Sequence, residues 1–286
     1  MDMKTVEIIP ENKDACPSGE ASAGAAEGRS STSSRTLALT VAYNGAPFCG
    51  FARQPGQLTV QGELEQALAL LFRREVETTC AGRTDAGVHA AGQVVSFDVR
   101  KDELRDRTLP SLRRSLNALT HDAIAVREVE RKPHGFSARF DARAREYRYH
   151  ICVDETPPIF MGDFSWFIPG GLDVAAMEAA SRCLIGEHDF KSFCMTASAE
   201  GKPTCRNVHE ISFCTEAVMG ERMLVVKVVG NAFLHSMVRT MVGTLVAVGR
   251  GQRDPRWVAE ALKACDRRAA GENAPAQGLV FWRVVY

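Results

Sequence analysis

Alternating apolar and polar residues predict strands in both halves of the chain. Leu37, Leu39 and Val41 alternate with small or polar residues, which is typical of a half-buried strand because successive side chains point to opposite faces. The same pattern predicts strands near residues 76–80, 93–99, 124–129, 147–153, 164–168, 211–215, 223–229 and 279–286. The strands at 211–215 and 223–229 are predicted to form an antiparallel pair around Gly220.

Apolar residues at helical spacing predict helices between these strands. The predicted helices begin at Thr59, Pro110, Asp173, Leu234 and Asp254. The first is expected to end near Arg74, and the fourth to cover 234–248 before a glycine-containing stop. Strands with interposed helices, in two successive rounds, predict an α+β fold of two related halves.

Composition separates a tail from the folded part. Residues 1–34 are rich in Ser, Ala, Gly and Glu, and 18–34 contain no large apolar residue. This predicts a disordered tail without a catalytic role. The remainder is predicted to form an N-terminal subdomain, 35–135, and a C-terminal subdomain, 136–286.

The overall composition is that of a soluble enzyme, with 45% hydrophobic and 24% charged residues. No apolar run reaches the ~18–20 residues that a membrane span needs, and the N-terminus lacks the features of a secretory signal. The nine cysteines are scattered and never spaced as Cys-x-x-Cys, which argues against structural disulfides and zinc. We therefore expect a cytoplasmic protein with no metal.

The charge distribution bears on nucleic-acid binding, for which a formal net charge of zero is unusual. Residues 1–34 hold three basic and six acidic side chains, which leaves 32 basic and 29 acidic side chains in the rest. Arginines form two clusters: Arg105, Arg107, Arg113 and Arg114, and then Arg139, Arg143, Arg145 and Arg148. Two clusters flanking one site favour a track for RNA phosphates, although each alone could be a solvated surface.

Residues 81–89, with the sequence Ala-Gly-Arg-Thr-Asp-Ala-Gly-Val-His, concentrate chemically active side chains. The two glycines allow the backbone to approach a ligand closely. A carboxylate, Asp85, two residues from the guanidinium of Arg83 suits nucleophilic or acid–base work. As a generic pattern, the same residues could form a surface turn in which Arg83 and Asp85 merely pair.

The string from Arg83 resembles the signature of the tRNA pseudouridine synthase A (TruA) family, and further blocks match that family in the same order. These blocks are 43–45, 48–51, 53–54, 60–65, 136–140, 146–149, 189–193, 206–208, 231–243 and 278–279. Together they span about residues 35 to 286. One departure is Phe51-Ala52, where the family commonly has Trp-Gln, so a contact near the loop entrance is expected to differ.

The resemblance implies a pseudouridine synthase fold, in which two α/β subdomains with antiparallel sheets join across a central active-site cleft. It implies a cofactor-independent isomerase that converts uridine to pseudouridine around positions 38–40 of the tRNA anticodon arm, and a homodimer. Asp85 would be the nucleophile, Arg239 would pair with it, Tyr147 would stack on the target base and Leu279 would line the uracil pocket. Arg83 would contact an RNA phosphate or hold the flipped nucleotide.

Residue chemistry alone leaves alternatives for these side chains. Tyr147 could be a core aromatic residue, Arg239 a surface residue with a buried stem, and Leu279 a core residue. Whether Asp85 attacks the sugar or acts first on the base is open. We expect His89 to hydrogen-bond within its own loop.

Two further histidines, His209 and His235, have no partner at metal-ligand spacing and are expected to be structural. The alternative functions are a non-catalytic RNA-binding protein of the same fold and a nucleoside hydrolase. The hydrolase would need a second carboxyl group or a metal to activate water.

Overall fold

A computed structural model describes residues 34–104, 107–196 and 200–286. The predicted tail, 1–34, lies outside these residues except for Ser34, which begins the first strand. The strands are β1 (Ser34–Tyr43), β2 (Thr79–Cys80), β3 (His89–Arg100), β4 (Ile124–Lys132), β5 (Ala144–Cys152), β6 (Trp166–Phe167), β7 (Gly186–Asp189), β8 (Cys205–Val218), β9 (Glu221–Gly230) and β10 (Leu279–Val285).

The helices are α1 (Val60–Phe72), α2 (Leu109–Leu119), α3 (Val174–Ser181), α4 (Met237–Gly249) and α5 (Arg256–Ala264). Thr59 caps α1, because its side chain accepts a hydrogen bond from the Gly62 amide, and Asp173 caps α3 in the same way. α1 ends two residues earlier than predicted, at Phe72. Within the described ranges, no helix has the length and apolar character needed to cross a membrane.

The strands of the described residues form one sheet in the order β4-β1-β3-β10-β5-β9-β8-β7, with β2 paired to β3 and β6 to β5. The pairs along this order are antiparallel except for β10 and β3, which run parallel over two residue pairs. The α+β prediction is confirmed, and β10 joins the sheets of the two halves into a single mixed sheet. The subdomain boundary near residue 135 stays a prediction.

The main core lies between the helices and one face of this sheet. Along β5, Tyr147, Tyr149 and Ile151 point into that core because alternate residues of a strand share a face. Cys152 points the other way and packs with Met223 and others in a small second cluster.

Several element boundaries differ from the prediction, and three of these differences are large enough to matter here. The strand predicted at 76–80 is only Thr79–Cys80, and that at 164–168 is only Trp166–Phe167. The fourth helix was predicted over 234–248 but begins at Met237, because Ser236 has a left-handed backbone with φ 60°. A residue in that conformation cannot continue a right-handed helix.

Candidate active site

One cleft of about 740 Å³ brings together residues from both halves of the chain. Its lining includes all five residues that the sequence singles out: Arg83, Asp85, Tyr147, Arg239 and Leu279. They come from the loop before β3, from β5, from α4 and from the start of β10. The fold therefore collects side chains that are up to 196 positions apart in sequence into one concave surface.

The Asp85 loop is held by contacts with the segment after β1. The Phe51 amide donates to the Thr84 carbonyl oxygen at 3.0 Å, and the Val88 amide donates to the carbonyl oxygen of Asp85 at 3.1 Å. A Cβ added at Gly45 would lie 2.1 Å from the Val88 carbonyl oxygen, so only glycine allows this approach. The loop is fixed by backbone contacts before any substrate binds.

Three side chains contact the Asp85 carboxylate, whose side chain is 19% exposed. The Ser236 hydroxyl donates to Oδ2 at 2.8 Å, and Nη1 of Arg239 lies 3.2 Å from the same oxygen. Nε2 of His235 lies 3.3 Å from Oδ1. Sequence reasoning missed Ser236 and described His235 as structural, because a search by spacing finds only partners that are close in sequence.

Arg239 is fixed from its other side by the segment that precedes β10. Its Nε donates to the Ala274 carbonyl oxygen at 2.8 Å, and the Ala274 amide donates to the Arg239 carbonyl oxygen at 3.1 Å. This segment can lie against α4 because Gly243 has no side chain, and a Cβ there would be 1.9 Å from the Glu272 carbonyl oxygen. The guanidinium is thus held toward Asp85.

Tyr147 lies in the cleft wall with only 7% of its surface exposed. Its ring makes edge contacts with Phe233 and Phe281, at centroid distances of 5.1 and 5.0 Å. Burial raises the pKa of the Tyr147 phenol far above its usual range, and Tyr43 and then Asp85 add smaller increases. The hydroxyl therefore stays protonated at neutral pH.

Of the two remaining predicted residues, Leu279 is buried and Arg83 is exposed to solvent. Leu279 is 5% exposed and contributes apolar surface to the cleft lining. Arg83 is exposed on the loop that carries Asp85 and also lines the cleft. The alternative in which Arg83 and Asp85 pair with each other is wrong, because the described ion pairs of Asp85 are with Arg239 and His235.

The prediction that Arg145 belongs to a track for RNA phosphates is wrong. The Arg145 side chain is buried, with 8% exposure, and its guanidinium donates to the carbonyl oxygens of Ala81, Arg139, Ala142 and Asn231. Burial lowers the pKa of this guanidinium. Arg145 therefore connects the segments around the cleft, and these bonds occupy its donors.

The other clustered arginines divide by location. Arg148 pairs with Glu146 at 2.8 Å and lies over the Trp282 ring, on the sheet face opposite Tyr147. Of the first cluster, the three described members belong to α2 or precede it, and none of them lines the cleft. The described basic residues that do line it are Arg83, Arg139, Arg145, Lys202, Arg206 and Arg239, and Asp85 is the single carboxylate among the described lining residues.

The expectation that His89 hydrogen-bonds within its own loop is wrong, because its partner Gly45 lies in the segment after β1. Nδ1 of His89 accepts a 3.0 Å hydrogen bond from the Gly45 amide, and its ring packs on Phe164 at a centroid distance of 4.7 Å. Burial lowers the pKa of His89, which favours a neutral ring. Across the described residues, no group of three or more His, Cys, Asp or Glu side chains is arranged to hold a metal ion.

Comparisons with known proteins agree on one family. The model of the tRNA pseudouridine synthase family matches residues 39–141 and 180–286. The tRNA pseudouridine synthase A of Brevibacillus brevis is 43% identical over 254 residues, covering 88% of this chain and 100% of that protein. Proteins of the same name from Geobacillus sp. and Thermotoga neapolitana are 38% and 39% identical over 88% of this chain, covering 99% and 100% of their own lengths.

Proposed function

This chain belongs to the tRNA pseudouridine synthase family, a family of isomerases, and we propose that it converts uridine to pseudouridine in the anticodon arm of tRNA with Asp85 as the nucleophile. The observation that carries this proposal is that Asp85, the one carboxylate among the described lining residues, is contacted by Ser236, Arg239 and His235 in a cleft that also has several basic side chains. Hydrolysis of a nucleoside would require a second carboxyl group or a metal to activate water.

The reaction is an internal exchange of bonds that needs no redox partner. The N1–C1′ bond of uridine breaks, the base turns, and a C5–C1′ bond forms. C5 then loses a proton and N1 gains one, so the atoms balance. Because the uracil base departs as a delocalised anion, one carboxylate that forms and releases a covalent bond can serve both halves of the reaction.

Four of the residues that line the cleft have a role in this reaction besides Asp85. Arg239 and Ser236 contact the Asp85 carboxylate and orient it toward the uridine. Tyr147 offers a neutral aromatic face to the base, with Leu279 as the apolar surface beside it. Enclosing the base in this way keeps the free uracil in place while it turns.

The basic lining supports an RNA substrate. Arg83, Arg139 and Lys202 are exposed around the cleft, where they can contact phosphates on either side of a flipped nucleotide. Removing the uridine from its stack costs a few kcal/mol, which phosphate contacts offset. We further propose that the target lies in the anticodon arm, that the protein is a homodimer and that it is located in the cytoplasm. A strict monomer in light scattering at micromolar concentration would contradict the homodimer.

Tritium release tests the proposal directly, because C5 loses its hydrogen only when the new carbon–carbon bond forms. Whole tRNA transcripts labelled at C5 of uridine are incubated with the wild type, with Asp85→Asn and with Asp122→Asn. Asp122 is an exposed carboxylate outside the cleft and provides the matched control. We expect release by the wild type and the control, none by Asp85→Asn, and similar RNA affinity in all three.

Two results would contradict the proposal. Substantial release by Asp85→Asn would remove the nucleophile assignment, and absence of release by the wild type despite tight tRNA binding would favour a non-catalytic RNA-binding protein. Mapping the modified positions in the product tRNA then tests the anticodon arm separately.

A further inference from the structure

We propose that Ser236 is a positioning residue for Asp85, and that its left-handed backbone exists to deliver the hydroxyl to the carboxylate. This inference rests on the proposed function, because it assigns a residue to that same reaction. Ser236 is 8% exposed, and its Oγ lies 2.8 Å from Oδ2 of Asp85 across 151 positions of sequence.

The backbone of Ser236 is the first sign of this role. Four described non-glycine residues have positive φ: Arg73, Met219, Ser236 and Cys265. Arg73 and Cys265 end helices and Met219 turns a hairpin, which are the usual places for this conformation. Ser236 instead begins a helix, where an extended backbone is the rule.

The hydroxyl of Ser236 is the second sign. A serine at a helix N-cap ordinarily accepts a hydrogen bond from an amide of the first turn, but the Ser236 side chain makes no such bond. The hydroxyl donates to Asp85 instead, while the Ser236 carbonyl oxygen accepts from the Thr240 amide and hydroxyl. Ser236 thus makes no capping hydrogen bond and has an unfavourable φ. Its hydroxyl is instead hydrogen-bonded to Asp85, which offsets these costs.

The consequence is a fixed carboxylate. Oδ2 of Asp85 receives both Ser236 and Arg239, whereas Oδ1 lies toward His235, whose side chain is 48% exposed. Two donors on one oxygen determine the rotation of the carboxylate plane, since rotation would break both bonds. With Arg239 alone, the same rotation would break one bond instead of two, so the carboxylate would be held less firmly.

Three substitutions separate the hydroxyl from the backbone. Ser236→Ala removes the hydroxyl and retains the strained φ, and Ser236→Gly removes the hydroxyl and relieves the strain. Ser236→Asn tolerates the left-handed conformation and supplies an amide donor. The control is Ser192→Ala, which removes a fully buried hydroxyl that accepts from the Asp266 amide outside the cleft.

Single-turnover tritium release and thermal unfolding are measured for each protein. We expect Ala and Gly to lower the catalytic rate constant by about 10- to 100-fold, the range for losing one hydrogen bond to a charged group, with the KM for tRNA nearly unchanged. Asn should restore most of the rate. Ser192→Ala should lower the melting temperature and leave the rate constant unaltered.

The inference fails if Ser236→Gly, which relieves the strain and keeps the fold, reacts as fast as the wild type. It also fails if Asn is as slow as Gly at equal melting temperature, because a donor would then be irrelevant. Both comparisons require an active wild type, so absence of wild-type release overturns the proposed function instead.

Discussion

Two guanidinium nitrogens of Arg145, Nε and Nη2, donate to the same acceptor, the carbonyl oxygen of Ala81, at 3.1 and 3.0 Å. Nη1 donates to the carbonyl oxygens of Ala142 and Asn231. Ala81 lies at the start of the Asp85 loop, and Asn231 begins the segment that leads to Ser236. One buried cation therefore couples the two segments that meet at the carboxylate.

Replacing Arg145 with methionine should damage both stability and catalysis. The substitution leaves partly buried carbonyl oxygens without donors, at about 1–3 kcal/mol for each such group. We expect the free energy of unfolding in urea to fall by at least about 3 kcal/mol, and tritium release to fall with it under conditions where the protein remains folded. Arg143→Met is the matched control, because Arg143 is exposed two positions away on the same segment and should lose under about 0.5 kcal/mol.

Gly45 supplies a second test of how the loop is held. A Cβ at this position would lie 2.1 Å from the carbonyl oxygen and 2.5 Å from the carbonyl carbon of Val88, so the Asp85 loop itself must shift. We expect Gly45→Ala to lower the free energy of unfolding by about 1–3 kcal/mol, and to lower tritium release more than tRNA affinity.

Gly162→Ala is the control for this substitution. A Cβ at Gly162 meets no atom within 4 Å, and its φ lies outside the left-handed region, so stability and activity should change little. Equal effects of the two alanine substitutions would show that the close approach at Gly45 does not determine the loop position.

Three buried tyrosines predict a steep loss of stability at high pH. Burial raises the pKa values of Tyr43, Tyr147 and Tyr149 above the ordinary value of about 10, so the folded protein keeps three protons that the unfolded chain releases. Their contribution is complete below pH ~10 and is lost as pH rises toward the raised values. The free energy of unfolding should therefore fall by roughly 4 kcal/mol per pH unit above pH ~10, from these three groups together.

Urea unfolding at a series of alkaline pH values measures this slope, and tyrosinate absorbance shows when the phenols ionise. Other groups titrate in the same range, including Cys80, whose pKa burial raises to about 11. The comparison with Tyr149→Phe isolates one phenol and should reduce the slope by about 1.4 kcal/mol per pH unit. An unchanged slope would mean that this phenol ionises within the folded protein.

The sequence predicts the regular elements well where local chemistry is sufficient. Thr59 and Asp173 cap their helices as expected, because a cap is a local hydrogen bond between residues three positions apart. The same locality explains the error at the fourth helix. Its apolar spacing extends back to Leu234, but Ser236 has a left-handed backbone and bonds to Asp85 across 151 positions, a contact that no local pattern encodes.

Arg145 and His235 show where sequence reasoning stopped. Arg145 shares its strand face with Tyr147 and Tyr149, so strand periodicity could have indicated a buried side chain. Because Arg145 belongs to a cluster of arginines in the sequence, we predicted that it contacts RNA phosphates and did not consider the periodicity of the strand. For His235 there was no comparable signal, because its contact to Asp85 joins segments 150 positions apart.

The position of β10 has a consequence for how the molecule is made. This strand lies between β3 and β5, yet it is synthesised long after both. During translation, the start of β3 lacks the strand that pairs with His89 and Ala90, and the loop before it carries Asp85 without its neighbours, because α4 and β10 do not yet exist. The cleft therefore cannot be complete until β10 has been synthesised, so the Asp85 loop waits for its partners while the segments between them are translated.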